Sequence, residues 1–180
     1  MAPTDEAVMQ QVRAGNVRLL SVLFDRHYVA LFRFYVRMTG DRAWSEDLVQ
    51  EVFYRILKYR ESYQDGAPFA TWMYRIARNT HSEQRGRRRH ETSIEDGWDP
   101  PARAGVSLEQ HQEQMLLRRA LLELPHPQRE VLLLSRYQDL KYDQIAALLG
   151  CETGAVKVRV HRALSSLREI FFQLSGRKAS

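Results

Sequence analysis

The sequence predicts an all-α protein made of two small helical domains joined by a flexible linker. Apolar residues recur every three or four positions along most of the 180-residue chain, which is the period of an amphipathic helix. No alternating apolar and polar run is long enough to predict a strand. Residues 91–107 show no periodicity and contain acids, prolines and glycines, as a linker should. We therefore place the first domain at residues 1–90, the linker at 91–112 and the second domain at 113–180.

Four helices are predicted in the first domain. Thr4 is a suitable N-cap for a short helix that ends at Gly15, and Gly40 ends the second helix. A third helix begins near residues 41–45, and the Asp-Gly-Ala-Pro sequence at 65–68 breaks the chain before the fourth. The second and third helices carry apolar residues at helical spacing: Leu19, Leu20, Leu23, Phe24, Leu31, Phe34 and Met38, then Leu48, Val52, Phe53, Ile56 and Tyr59.

The second domain opens with helices around residues 115–124 and 131–137 and ends in a pattern typical of a helix-turn-helix, residues 142–171. Gly150 suits the left-handed backbone of a tight turn, and Thr153 is a suitable N-cap for the helix that follows. That helix is expected to bury a stripe of four residues, Val156, Val160, Leu164 and Leu167. Its opposite face is basic, which suits the major groove of DNA. An ordinary helical hairpin with a solvated basic face is the alternative.

The net charge of +5 arises from two basic segments. Residues 72–90 hold six arginines and one acid, Glu83, while residues 157–178 hold six basic residues and one acid, Glu169. Each segment carries +5, so the rest of the chain carries −5. Two basic segments on a slightly acidic body indicate two contact points for a polyanion, although solvated basic surface is the other interpretation.

Composition disfavours several classes of function. Cys151 is the only cysteine, so no intrachain disulfide can form, and the six histidines lack a zinc-ligand spacing. We expect no metal and no cofactor. No apolar run approaches the roughly 20 residues of a membrane span, and the N-terminus lacks a signal peptide, so a cytoplasmic protein is expected. Neither a nucleophile motif nor a metal-binding pair of carboxylates is recognisable, so we expect no enzyme; a small helical nuclease is the least favoured hypothesis.

The stretch FATWMYRIARNTHSEQRGRRRH, residues 69–90, forms the fourth helix. One face is expected to be its core stripe: Phe69, Trp72, Met73, Ile76 and Thr80. Arg75, Arg78, Asn79 and Ser82 fall on another face, which offers charge for phosphates and polar groups for base edges. Aromatic residues nearby could stack on unpaired bases. Periodicity alone leaves open whether this is a core helix with a solvated back or a nucleic-acid surface.

Three motifs together resemble the extracytoplasmic-function (ECF) sigma factors of bacterial RNA polymerase. They are SEDLVQEVFYRILKYRESY (45–63), FATWMYRIARNT (69–80) and ELPHPQREVLLLSRYQDLKYDQIAALLGCETGAVKVRVHRALSSLR (123–168). The resemblance extends from about residue 5 to 172, in the family's order. It implies a subunit that binds the polymerase core, recognises the −35 and −10 promoter elements and helps to melt the −10 DNA.

By this resemblance the first domain corresponds to sigma region 2. Asp47, Gln50 and Glu51 match its core-binding motif and would face the clamp helices of the largest polymerase subunit. The −10 element would be bound by Trp72, Arg75, Arg78, Asn79 and Ser82. Asn79 would line a pocket for a flipped base, with the loop 63–68 as its wall. The sequence after Asn79 is more polar than is common in the family, so the helix is expected to end early and leave the arginines as a phosphate-binding tail.

The second domain resembles sigma region 4, which would read the −35 element and contact the flap of the second-largest polymerase subunit. The residues at its reading positions are Thr153, Lys157, Val158, Arg159, His161 and Arg162. Val158 replaces the small polar residue usual there; it can touch a thymine methyl but cannot donate a hydrogen bond. An anti-sigma factor is a further candidate partner. The competing hypothesis is a self-contained helix-turn-helix regulator whose N-terminal domain dimerises or senses a ligand.

Overall fold

The computed structural model describes residues 2–88, 107–138 and 140–176, and all regular structure in these ranges is helical. The helices are α1 (Asp5–Arg13), α2 (Leu20–Thr39), α3 (Arg42–Lys58), α4 (Phe69–Arg88), α5 (Leu108–Glu123), α6 (His126–Tyr137), α7 (Tyr142–Leu149) and α8 (Thr153–Ser175), with short 3-10 turns at Val17–Leu19 and Arg60–Ser62. The all-α class is confirmed. The linker up to residue 106, with Trp98, lies outside the described residues, as does Arg89.

Contacts within the chain divide it into two compact units. The first comprises Met1–Tyr35 and Ala43–Glu95, and the second comprises Val36–Arg42 and Asp96–Ser180. The domain limits drawn from the sequence stay a prediction.

In the first unit, α1 begins where the sequence predicts. Thr4 has an extended backbone, and its Oγ1 accepts a hydrogen bond from the Ala7 amide at 3.2 Å, which confirms it as the N-cap. The apolar side of the helix buries Val8, Met9 and Val12. The N-terminal helix is therefore part of the packed core of this unit.

Most of the remaining core of the first unit comes from α3 and α4. The buried residues are Ser45, Leu48, Val49, Val52, Phe53 and Ile56 on α3, and Phe69, Met73, Tyr74, Ala77, Thr80 and His81 on α4. Trp72 and Ile76, expected within the α4 stripe, are half-buried at its edge. The stripe is turned because α4 places Ala77 against α2, where the Tyr35 hydroxyl donates to the Ala77 carbonyl at 2.8 Å.

The expectation that α4 ends soon after Asn79 is wrong, because the helix continues to Arg88. The residues beyond Asn79 are polar, yet they are anchored to the rest of the unit. Thr80 is fully buried, and Trp44 on α3 donates from its indole nitrogen to the Gln84 side-chain oxygen at 3.0 Å. These contacts hold a segment in the helix that has few apolar residues of its own.

In the second unit, α8 packs against α5, α6 and α7. The first of these helices begins at Leu108, inside the range 91–112 that the sequence analysis gives to the linker. A capping box explains the early start: the Ser107 hydroxyl accepts from the Gln110 amide at 3.2 Å, and the Gln110 side-chain oxygen accepts from the Ser107 amide at 3.1 Å.

The turn between α7 and α8 has the form that the sequence predicts. Gly150 follows α7 with φ +63°, a left-handed conformation that glycine adopts without steric cost. The Cys151 amide then donates to the Ala146 carbonyl at 3.0 Å, which closes the turn.

Two expectations for α8 are wrong in detail. Thr153 is the first helical residue and Glu152 is the N-cap, because the Glu152 backbone is extended and its carbonyl accepts from the Val156 amide at 3.2 Å. The fully buried positions of the helix are Val156, Val160 and Ala163. Leu164 is exposed and Leu167 half-buried, because the small Ala163 rather than Leu164 faces the helices that pack on α8.

Candidate functional site

The three residues predicted to bind polymerase lie together on the outward side of α3. Asp47 and Gln50 are exposed and Glu51 is half-buried. Spacings of three and four residues bring them onto one helix face. With Tyr54 and Gln84 they line one shallow depression. Tyr54 was missed by the sequence analysis; it is 59% exposed, and its place three residues after Glu51 was the available signal.

Arg55 ties this acidic face of α3 to α4. Its Nε donates to the Glu51 carboxylate at 2.7 Å, and its Nη2 donates to the Glu83 carboxylate at 2.8 Å. The hydrogen bond that Arg55 donates to Glu83, together with the one it donates to Glu51, outweighs partial desolvation and raises the pKa of the Arg55 guanidinium. The same bond lowers the pKa of Glu83. Arg55 therefore partly neutralises the charge of Glu51. Among the described side-chain contacts, Asp47 has no such bond.

The residues predicted to bind the −10 element lie on the outward face of α4. Arg75, Asn79 and Ser82 are exposed, while Trp72 and Arg78 are half-buried. Positions 72, 75, 79 and 82 fall within about 80° of arc around the helix, and Arg78 flanks them. The face therefore combines an aromatic ring, an amide, a hydroxyl and guanidinium groups within reach of one nucleic-acid strand.

The loop that precedes α4 is built around Tyr63. This residue is buried, its ring packs edge-on against Trp72 with centroids 5.2 Å apart, and its hydroxyl donates to the Ala67 carbonyl. Burial, together with the nearby carboxylates of Glu6, Asp65 and Asp5, raises the pKa of Tyr63 to about 12. The Tyr63 hydroxyl therefore stays protonated at neutral pH and keeps its bond across the loop.

The helix-turn-helix presents its predicted reading residues to solvent. Thr153, Lys157, Val158, Arg159, His161 and Arg162 are all exposed. Val158 is 50% exposed, so a valine side chain occupies the middle of this surface. Val156 and Val160 are buried between these positions and fix the orientation of α8 against the rest of the unit.

The six reading residues occupy the exposed arc of α8, with Thr153 and Arg159 at its two edges. At 100° per residue, Thr153, Lys157, Val158, His161 and Arg162 span about half of the helix circumference. Arg159 lies about 160° from His161 but only about 60° from Arg162, so it extends this arc at the edge beside the buried stripe. The six residues therefore form one exposed surface, in which Val158, His161 and Arg162 are central and Thr153 and Arg159 are peripheral.

Neither a membrane span nor a metal site occurs among the described residues. No helix there is long and apolar enough to cross a membrane. The same residues contain no cluster of histidine, cysteine, aspartate and glutamate that could hold a metal ion.

Comparisons with known proteins assign the chain to a family. The family model for Sigma-70 region 2 matches residues 23–91, and the model for Sigma-70, region 4 matches residues 114–167. RNA polymerase sigma factor CarQ of Myxococcus xanthus is 32% identical over 173 residues, which cover 92% of this chain and 97% of CarQ. ECF RNA polymerase sigma factor SigL of Mycobacterium tuberculosis is 32% identical over 159 residues, 86% of this chain and 90% of SigL. The chain belongs to the ECF sigma factors.

Solved structures agree with this assignment. The sigma factor RpoE of Bartonella quintana, in complex with the anti-sigma factor NepR, superposes with a TM-score of 0.70 at 28% identity and covers 83% of this chain and 94% of RpoE. CnrH, in complex with the cytosolic domain of CnrY, has the same fold, with a TM-score of 0.72 at 24% identity over 92% of this chain and 96% of CnrH. As an ECF sigma factor, this protein acts in promoter recognition and transcription initiation.

Proposed function

We propose that this sigma factor binds polymerase through α3 and promoter DNA through the outward faces of α4 and α8. One observation carries the proposal: the first unit has two exposed faces of opposite chemistry on different sides of α4. Gln84 faces the acidic depression on α3, whereas Asn79 lies about 140° around the same helix. A protein that bound both partners through one face would not need two faces of opposite chemistry on different sides of one helix.

The acidic depression suits a partner that carries arginine or lysine. Asp47 and Gln50 offer exposed acceptor oxygens, and the exposed Tyr54 beside them is of a type enriched at binding hot spots. We assign this depression to the clamp helices of the largest polymerase subunit. Asp47 and Gln50 make the direct contacts, whereas Glu51 contributes a charge that Arg55 already partly neutralises.

The outward face of α4 suits single-stranded DNA of the −10 element. Extruding a base from a duplex costs a few kcal/mol of stacking, which a pocket must offset. Trp72, braced by Tyr63, offers a ring for stacking, and Asn79 offers both a donor and an acceptor to a base edge. Arg75 and Arg78 supply positive charge for the phosphates alongside. Asn79 is therefore the residue assigned to base discrimination.

The exposed side of α8 suits the major groove of the −35 element. Lys157, His161 and Arg162 supply donors for phosphates and base edges, and Val158 supplies an apolar contact for a thymine methyl. Binding of this unit to the flap of the second-largest polymerase subunit would hold it at the −35 element. RpoE is seen bound to an anti-sigma factor, so an anti-sigma factor is a candidate partner here too.

Each of these roles consists of binding, so we propose that the protein catalyses no covalent step of its own. The bonds of the transcript are made by the polymerase to which it binds. Its place of action is then that of the polymerase and the chromosome, in the cytoplasm.

Run-off transcription with bacterial core polymerase on a library of promoters tests this function. We expect transcripts from promoters that share one −35 and one −10 sequence, and none without the sigma factor. A gel shift of the free protein on the selected duplex is the companion measurement. Tight, specific binding without polymerase, together with no co-purification with core, would contradict the proposal and favour a self-contained regulator.

A further inference from the structure

The N-terminal helix α1 contacts the start of α4. None of the binding roles proposed above involves α1. It ends at residue 13, before the region 2 match at 23–91, and none of the predicted site residues lies on it. A carboxylate oxygen of Glu6 accepts a hydrogen bond from the Phe69 backbone amide at 3.1 Å, across 63 residues of sequence. Phe69 is the first residue of α4.

This bond replaces a local cap that the sequence of α4 does not provide. The first amides of a helix have no partner within the helix, and a side chain at the N-cap usually accepts from one of them. At α4 the Pro68 carbonyl accepts from the Trp72 amide at 3.2 Å, but a proline side chain has no acceptor. The Glu6 carboxylate takes over that function and also brings negative charge to the positive end of the helix dipole.

Further contacts fix both ends of α1. Arg13, at its C-terminal end, donates to Asp65 at 2.9 Å, and Asp65 belongs to the loop before α4. At its N-terminal end, Asp5 accepts from Arg26 of α2 at 2.7 Å and lies 2.6 Å from the His27 side chain. The helix therefore joins α2, the loop 63–68 and the first turn of α4.

We propose that α1 positions the −10 site, with Glu6 as the main positioning residue and Arg13 as a weaker one. Glu6 fixes the first turn of α4 and the loop 63–68, and thereby the place of Trp72 and Asn79 relative to the loop. The inference rests on the proposed role of α4 at the −10 element. The Arg13–Asp65 pair has exposed side chains, and such pairs contribute less than a helix cap.

Full-length variants assembled with core polymerase test this role. Glu6→Ala removes the acceptor, whereas Glu6→Gln keeps an acceptor oxygen and loses the charge. Gln10→Ala, an exposed change on α1, and Asp25→Asn, an exposed loss of charge on α2, are the matched controls. Each variant is measured for affinity to core, for the rate of open-complex formation, and for its preference between the parent −10 sequence and single-base variants of it.

For Glu6→Ala we expect open complexes to form about fivefold more slowly and −10 preference to weaken by a similar factor, as loss of a helix cap implies. Core affinity should stay within about twofold, since the Asp47 depression lies on α3. Glu6→Gln should lose less, and both controls should match the parent. Asp65→Arg should slow opening slightly, and adding Arg13→Asp should restore the parent rate, since the reversed pair can form again.

Three results would overturn the inference. The first is a Glu6→Ala variant with the opening rate and −10 preference of the parent. The second is an equal loss of core affinity and opening, in both Glu6→Ala and Glu6→Gln, since that would assign Glu6 a general role in folding. The third is a parent protein that binds core but opens no promoter, and this result alone would also contradict the proposed function of α4.

Discussion

The helices α4 and α8 both present a polar face to solvent, but different parts of the chain hold them in place. The turn before α8 closes through Gly150 and the Cys151–Ala146 bond, within a few residues of the helix. By contrast, α4 is held by Glu6, Tyr35, Trp44 and Arg55, across 63, 42, 40 and 28 residues of sequence.

This difference has a consequence for mutation. A site supported from nearby is disturbed mainly by changes in its own segment, whereas a site supported from a distance can be disturbed from α1, α2 or α3. Residues in one network also fail to act additively, and Arg55, Glu51 and Glu83 form such a network. The −10 site should therefore respond to loss of distant polar contacts, whereas the turn that leads into α8 should depend mainly on its own residues.

The largest effect is expected at the acidic depression, which belongs to the first unit alone. Reversing two of its charges should weaken binding to polymerase. Asp47→Arg with Glu51→Arg should reduce holoenzyme formation at least a hundredfold, about 2.7 kcal/mol, because it places like charges against a basic partner. Co-purification with core polymerase measures it. Asp25→Arg with Glu61→Arg, at two exposed positions, applies the same charge change as a control.

The single variants sharpen the same prediction. Asp47→Arg alone should account for most of the loss, since Glu51 is bonded to Arg55. Parental yield of holoenzyme with the double variant would contradict the polymerase-binding assignment. A larger loss for Glu51→Gln than for Asp47→Arg would show that the Arg55 network, more than direct contact, supports binding.

The next largest effect compares a central arginine of the exposed arc of α8, Arg162, with a peripheral one, Arg159. Arg162→Ala should weaken binding of the holoenzyme to the −35 element by about 1 to 3 kcal/mol, the range for a good base contact. Arg159→Ala should cost less than about 0.5 kcal/mol, as surface changes usually do, because Arg159 lies at the edge of the exposed arc, beside the buried stripe. Competition binding at several salt concentrations measures both. Equal losses would mean that α8 enters the groove at a different rotation.

The same contrast explains how much could be predicted from sequence. The all-α class, the Thr4 cap and the turn at Gly150 follow from periodicity and local residue preferences, and the structure has all three. The resemblance to the ECF sigma factors needed three motifs in order, and the family comparisons confirm it.

The errors on α4 occurred where distant contacts override local pattern. Polar residues after Asn79 predicted an early helix end, but Trp44 bonds to Gln84 and keeps the segment helical. Glu6 has no local signal that distinguishes it from an ordinary acidic residue in the first turn of a helix. The assigned roles of the site residues stay predictions, which the variants described here test.

A smaller effect is expected from Asn79→Ala on the outward face of α4. Loss of one hydrogen bond to a base edge should reduce discrimination among −10 variants by about 1 kcal/mol, roughly fivefold, without changing core affinity. Transcription from promoters with each base at the recognised position measures it. Asn16→Ala is the matched control, since Asn16 is exposed and makes no capping bond from its side chain. A variant that ranks all −10 sequences as the parent does would contradict the pocket assignment.

The smallest effect concerns acid stability of the first unit. Burial of Asp5 would raise its pKa, but hydrogen bonds from Arg26 and His27 and their charges outweigh burial, so the pKa lies below its ordinary value of 3.8. A carboxylate with a lowered pKa in the folded state stabilises fully above the unfolded value, and this contribution is lost as the pH falls through the folded value. The expected contribution is about 0.5 kcal/mol, typical of a partly exposed pair.

Denaturant unfolding of Asp5→Asn and the parent between pH 7 and pH 2 measures this contribution. The parent should be the more stable protein at pH 7, and the difference should shrink below about pH 4, as Asp5 becomes protonated in both states. Asp25→Asn, at an exposed position of α2, serves as the control for removal of one carboxylate. A difference between Asp5→Asn and the parent that is the same at pH 7 and pH 2 would mean that the Asp5 charge does not hold α1 against α2. In that case the support of α4 by α1 would depend on Glu6, Arg13 and the buried apolar side of α1 alone.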